Sequence, residues 1–147
     1  MSVLDREAVA VALFNLLQTM GSTFTTYSRR PQLWENEQNK PALYMGNTKE
    51  NATYTGSNGA LQLNILSFPI TIYVDVGLDP NTTPDTQINS LLTAVDTVLL
   101  PPPYQPNQQT LNGLVAYCRR EGDVDRIPGY LDGKGGVFFM IKCLVPA

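Results

Sequence analysis

The sequence predicts an α+β domain: a largely antiparallel, twisted β-sheet with two α-helices packed on it and an extended β-hairpin arm. Three observations predict it. Two stretches carry apolar residues at helical spacing, and the remaining apolar runs alternate with the period of a strand. The order is helix, several strands, helix, several strands, with no regular βαβ alternation. At 147 residues the chain, 1–147, reads as one domain, long enough to bury roughly 68–70% of its unfolded surface.

The first helix has Ser2 as a possible cap, Asp5 and Glu7 at its positive end and Gly21 at its stop. Val9, Leu13, Leu16, Leu17 and Met20 fall on one face. Phe24 to Tyr27 reads as a short strand, Pro31 and Pro41 bracket a loop, and "PALYMG" reads as a second strand. Trp34, inside that loop, has two readings. It covers the edge of the core, or it anchors a partner, since Trp is enriched at interface hot spots.

The middle segment "TYTGSNGALQLNILSFPITIYVDVG" places a turn signal, Gly56 to Gly59, between two strand-like runs. Leu61, Leu63 and Ile65 are apolar at odd positions; Leu66, Phe68, Ile70, Ile72, Val74 and Val76 follow at Leu66 and then at even positions. That one-residue slip implies a bulge or break near Ile65–Leu66. A straight strand over Leu61–Val76 would run about 50 Å at roughly 3.3 Å per residue, which predicts a hairpin arm around 48–66 outside the body. A lone hairpin is marginal in water, so such an arm needs a neighbour.

The second helix follows in "NTTPDTQINSLLTAVDTVLLPPP", with Thr83 as cap, Pro84 in the first turn and Pro101 as the stop. Ile88, Leu91, Leu92, Val95 and Leu99 line its buried face. After the stiff connector "PPPYQPNQQ" the reading is all strand: Leu111 to Arg120, through Gly122 to Val124–Ile127, the turn "PGYLDGKGG", and "VFFMIKCLV". In the last run Val137, Phe139, Ile141, Cys143 and Val145 face one side, and Phe138, Met140 and Leu144 the other. A strand apolar on both faces is covered on both. The helices make one cover; a second sheet, a loop or a neighbouring subunit makes the other.

Charged residues are only 16% of the chain, against about 25% in a typical soluble domain, so the surface has few charges to desolvate on association. The net charge is −3 and there is no histidine. This argues against a DNA-gripping protein, which needs clustered Lys and Arg, and removes the usual general base and commonest metal ligand. "GYLDGKGG" lacks the spacing of a phosphate loop, and the carboxylates Glu121, Asp123, Asp125 and Asp132 lack that of an EF-hand. No catalytic, metal-binding or cofactor-binding residues are expected, and the chain reads as a non-enzyme. Cys118 and Cys143 are expected as reduced, strand-borne thiols. The apolar run "AVAVALF" is far short of the roughly 20 residues that span a bilayer. A soluble protein made in the cytoplasm, with no leader, is the expectation.

The stretch "QQTLNGLVAYCRREGDV" carries the one resemblance to a known family. "QTLNGLV", then "CRREG", then "LDGKG" and a hydrophobic strand ending "LVP", resemble the C-terminal pattern of tail terminator, or tail completion, proteins of long-tailed bacteriophages. "RRPQLW", "KPALYMGNTKE", "FPITIYVDV" and "INSLLTAVDTVL" agree in order upstream. The resemblance implies a structural virion protein. A homo-oligomeric ring, hexameric in expectation, would end tail-tube polymerisation and meet the neck or head-completion protein. Contacts with sheath or tape measure protein are open, DNA is only cargo in the lumen, and there is no membrane partner. Six copies would multiply the −3 charge, and a negative channel would let DNA slide. The family's Thr-Leu-Gly-Gly appears as Thr110-Leu111-Asn112-Gly113, where Asn replaces one glycine and tolerates the left-handed turn. Gly122 is the second structural glycine. Candidate interface residues are Arg29, Arg30, Trp34, Tyr54, Arg119, Arg120, Glu121 and Asp123. Mixed charges at the end of the "CRREGD" strand set ring register, or they are a solvated strand end. A neck or other minor tail protein is the nearer alternative; a small carboxylate-dependent hydrolase or a ligand-binding domain is the distant one.

Overall fold

One long strand organises the molecule. In the computed structural model, which describes residues 5–55, 60–79, 81–102, 108–127 and 133–146, β4 (Ala60–Asp75) runs unbroken through the sheet. The other elements are α1 (Arg6–Gln18), β1 (Thr26–Ser28), β2 (Ala42–Met45), β3 (Lys49–Thr55), α2 (Pro84–Val98), β5 (Tyr117–Ile127) and β6 (Lys134–Pro146). Among the described residues, two α-helices and one mixed six-stranded sheet make an α+β fold. The strand order is β1-β2-β4-β6-β5, and β3 shares with β2 the same edge of β4. All pairs are antiparallel except β1 with β2.

The inner face of β4 follows the alternation read from the sequence: Leu66, Phe68, Ile70, Ile72 and Val74 have no exposed surface. Leu43 and Met45 of β2 and Val137, Phe139, Ile141 and Cys143 of β6 join them in one core under the two helices. Each fully buried side chain of this kind stabilises the fold by about 1.5–3 kcal/mol relative to exposure. Asp5, not Ser2, caps α1: its Oδ1 accepts from the Ala8 N–H at 3.0 Å, and Ser2 lies outside the described residues. Val9, Leu13 and Leu17 are buried beneath that helix, whereas Leu16 and Met20 pack at its margin. In α2 all five expected residues, Ile88, Leu91, Leu92, Val95 and Leu99, are buried, with Pro84 in the first turn.

Three expectations are corrected. The pairing of β4 with β6 keeps one register from Leu63↔Pro146 to Asp75↔Lys134, so nothing slips at Ile65–Leu66. The register shift is in β3–β4, where Thr53 faces Leu63 but Tyr54 faces Leu61, leaving Gln62 as the extra residue. The apolar pattern changes sides because Asn64 occupies a buried inner position while Leu63 and Ile65 point outward. Second, the hairpin β3–β4 is not free along its whole length: β6 flanks it from Leu63 onward. The Gly56–Gly59 turn lies outside the described residues. Third, the strand expected from Leu111 begins only at Tyr117, because Leu111, Asn112 and Gly113 all have positive φ and form a turn. The first strand likewise starts at Thr26, and Phe24 belongs to the core.

Cys118 and Cys143 are free, buried and directly opposite on β5 and β6. The hydrogen bond to Cys118 and then burial push the Cys143 thiol well above its usual range, which keeps it protonated and unreactive. At the far end of β4, Val76 N–H donates to the Gly133 carbonyl at 3.0 Å, and a Cβ built on Gly133 would lie 2.0 Å from the Gly77 oxygen. Gly133 also has φ +73. The change Gly133→Ala is therefore expected to cost about 3 kcal/mol through the clash and the left-handed backbone together. Thermal unfolding should show a loss of roughly 10 °C.

Candidate subunit interface

The outer face of the sheet divides into a covered half and a bare half. Residues directly opposite on neighbouring strands share a face, which places Ala42 and Tyr44 of β2, Tyr73 and Thr71 of β4, and Gly136 and Phe138 of β6 together on the outer side. The loop between β1 and β2 lies over the first of these. Trp34 Nε1–H donates to the Val74 carbonyl at 3.1 Å, and the Tyr73 hydroxyl donates to the Gln32 carbonyl at 2.8 Å. The ammonium groups of Lys40 and Lys134 stand 3.6 and 5.0 Å from the Trp34 ring centre. Trp34 thus has the position of a cover on the core edge, its ring engaged within the chain.

Glu37 completes the cover. Its carboxylate accepts from the buried Tyr44 hydroxyl and from the Asn39 N–H at 2.9 Å. These donors hold the Glu37 carboxyl below its ordinary value of 4.5, while burial and then Glu37 push the Tyr44 hydroxyl up. The Lys40 ammonium donates to the Glu37 carbonyl.

Among the described residues, the lower half of the outer face carries no such cover. From Thr71 and Phe138 down to Leu63, every described outward side chain of β3, β4, β5 and β6 is half-buried or exposed. Phe138 and Leu63 are 37% and 39% exposed, and Ile65, Pro69, Met140 and Leu144 lie between them. This is the face that the two-sided apolar pattern of β6 required something to cover. Across it runs one register row: Lys49 on β3 opposite Ser67, Ser67 opposite Lys142, and Lys142 opposite Arg119. Lys49 and Lys142 have no hydrogen-bond or ion-pair partner among the described residues. Sequence reasoning missed both, since they are 93 positions apart (142 − 49) and only the strand pairing aligns them.

The charged strand end separates by side. Arg119 is on the outer face, pairs with Glu121 at 2.8 Å and stacks over Tyr117 at 4.0 Å. Arg120 is on the inner side and grips Asp96 of α2 through two hydrogen bonds of 2.9 and 3.1 Å. Arg126 on the same side binds Asp85 and Asn89 of α2. One arginine thus faces outward, whereas Arg120 and Arg126 tie α2 to the sheet. Three residues, Gly122 to Val124, face one residue of β6, and Gly122 at φ +87 allows the bulge that exposes Asp123. Asp123 and Asp125 have no cationic partner among the described residues. Arg29 pairs with Glu7 of α1 at 2.8 Å, Arg30 is exposed, and Tyr54 stands 62% exposed on the hairpin.

The Thr110–Gly113 turn precedes β5. Gly113 N–H and Val115 N–H both donate to the Thr110 carbonyl, at 3.0 and 3.1 Å. Asn112 has φ 60, and Leu111 has φ 51, held by its buried side chain and by its N–H bond to Gln109 Oε1 at 3.1 Å. A cleft of about 430 Å³ lies between α1 and this turn, lined by Ala12, Asn15, Leu16, Thr19, Pro102, Gln109, Leu111 and Asn112. None of these carries an ionisable group, so this cleft offers neither an acid nor a base. Among the described residues no three His, Cys, Asp or Glu side chains gather to hold a metal ion, and no helix is long and apolar enough to cross a membrane.

Comparison with models of known protein families, and with curated proteins, finds no match for this chain.

Two outcomes follow from these contacts. Because the folded Glu37 carboxyl titrates below its unfolded value, its contribution to stability is full above about pH 4.5 and is lost as pH falls through the lower folded value. Urea unfolding at about pH 6 and about pH 3 should show a loss of stability on acidification that is smaller in Glu37→Gln. In the turn, Asn112→Gly should leave stability within about 0.5 kcal/mol, whereas Asn112→Val should cost about 1–2 kcal/mol for a β-branched residue at positive φ. The same unfolding curves measure both.

Proposed function

We propose that this chain is a tail terminator of a long-tailed bacteriophage. It is a structural virion protein whose copies, six in the expected ring, cap the tail tube, end its polymerisation and present a surface to the neck. The observation that carries this reading is the bare lower half of the outer face, where apolar rows flank a cationic one and await a partner. A surface of this kind, on a chain poor in charge, favours association with protein. Cyclic symmetry lets one head-to-tail contact, repeated, build a closed ring. The order of the motifs along the chain supports the family assignment, and the left-handed turn at Asn112 is compatible with its Gly-to-Asn departure.

In this reading the partners are further copies of the chain, the tube protein and the neck or head-completion protein, with sheath or tape measure contacts secondary. DNA passes through the lumen as cargo. The place of action is the head-proximal end of the tail, after assembly in the host cytoplasm. Light scattering of the purified chain should give a closed oligomer, and particles lacking it should carry tails of uncontrolled length or tails unable to join heads. Solitary molecules in solution, together with normal tails in its absence, would overturn the proposal.

A further inference from the structure

We infer that successive copies are held in register by one ionic contact: the Lys49–Lys142 row on the outer face of one copy receives Asp123 and Asp125 on the β5 edge of the next. The inference rests on the ring reading and goes further by naming the two surfaces that meet.

Three observations carry it. Lys49 and Lys142 are the two cations without a partner among the described residues in a row that crosses four strands, and at about 4.8 Å between strands they stand roughly 10 Å apart. The third cation of the row, Arg119, is already matched by Glu121. Asp123 and Asp125 are exposed, have no cationic partner among the described residues and are two residues apart on β5, a terminal strand of the sheet, where the bulge at Gly122 takes Asp123 out of the regular ladder and Asp125 resumes it opposite Phe138. Lys49 is on β3, which pairs only with β4 and so forms the opposite edge at that level. Lys49 thus lies at one edge of the sheet and Asp123 and Asp125 at the other, while Lys142, on β6, stands between them. A two-fold contact centred on either patch would set like charge against like, whereas a head-to-tail contact joins the unlike patches and repeats indefinitely or closes. The flanking apolar side chains, Phe138, Met140, Leu144 and Ile65, would be covered in the same contact. A nucleic acid is the weaker occupant, since a net charge of −3 and two free lysines give little counterion release.

The test uses the full chain and two charge-reversed forms, K49E/K142E and D123K/D125K, with circular dichroism to verify folding. Each form alone sets like charges against each other and should lose most of its oligomer in light scattering. Mixed in equal amounts they present only opposite charges to one another, so alternating rings of wild-type size should return. The unmodified ring should also dissociate as salt is raised, a readout that needs no variant to fold. Rings unaffected by either reversal and by salt would overturn this contact while leaving the ring reading intact. So would a mixture that stays monomeric. Wild-type chains that are solitary at every salt concentration would sink both. If K49E/K142E keeps its ring but loses binding to a labelled single-stranded oligonucleotide, the row serves nucleic acid and the inference is wrong.

Discussion

A sheet has two faces, and the described residues of this chain cover about one and a half of them. β4 is hydrogen-bonded on both edges, by β2 and β3 on one and by β6 on the other, so its position in the middle of the sheet is not negotiable. Its inner side chains fill the core beneath α1 and α2. Among the described residues its outer side chains are covered only where the loop from Arg29 to Pro41 reaches, at the Tyr73 end. Everything distinctive about the surface follows from that shortfall. Below the loop, apolar side chains stand on an open face because they belong to strands whose other side must be buried.

The loop that does cover its half is held by polar contacts at its margin. Trp34 and Tyr73 each use their one hydrogen-bond donor on a backbone carbonyl across the seam, and Glu37 satisfies Tyr44, which is wholly buried. Aromatic side chains suit this task because they bury a large area and still end in a donor. The opposite face uses charge instead. Arg120 and Arg126 reach from β5 to Asp96, Asp85 and Asn89, tying the exposed flank of α2 to the sheet. Exposed pairs of this kind contribute about 0–1 kcal/mol each, so they orient α2 more than they stabilise it.

Much of this architecture was legible in the residues, for reasons that can be named. α2 declares itself through Thr83, Pro84 and five apolar residues at helical spacing, all local signals. The inner face of β4 declares itself by alternation from Leu66 to Val74. The apparent slip at Ile65–Leu66 misled because alternation reports which face is apolar, not which face is buried. Leu63 and Ile65 are apolar on the open face, while Asn64 is buried with its amide donating to Glu50. A one-dimensional pattern cannot separate a bulge from a change in what each face meets. The left-handed turn was expected at Asn112, but its extension to Leu111 was not: a leucine at φ 51 is held there by its own burial and by Gln109 two residues earlier, whose amide is anchored on the Leu100 carbonyl. Arg119 and Arg120 were adjacent in the sequence reading and are on opposite faces in the sheet, which is what a strand does to neighbours. Lys49 and Lys142 were invisible because a row is a property of register.

Few ionisable side chains make the unpaired ones informative. Arg6, Arg29, Arg119, Arg120 and Arg126 each have a carboxylate within the chain, and Lys40 and Lys134 stand over Trp34. On a densely charged surface an unmatched lysine would mean little, since solvent and salt accept it at small cost. Here the chain matches most of its cations internally and carries no charge at all from Asn51 to Val74, so β4 brings only neutral side chains, Leu63, Ile65, Ser67, Pro69 and Thr71, to the open face. Two lysines placed in one row across such a face cannot be attributed to a generally charged surface. They interrupt an otherwise greasy patch at one level, and a partner that fits the patch must bring opposite charge at that level or lose the interaction of each ammonium group with water. That requirement converts a non-directional apolar surface into one with a single favoured register.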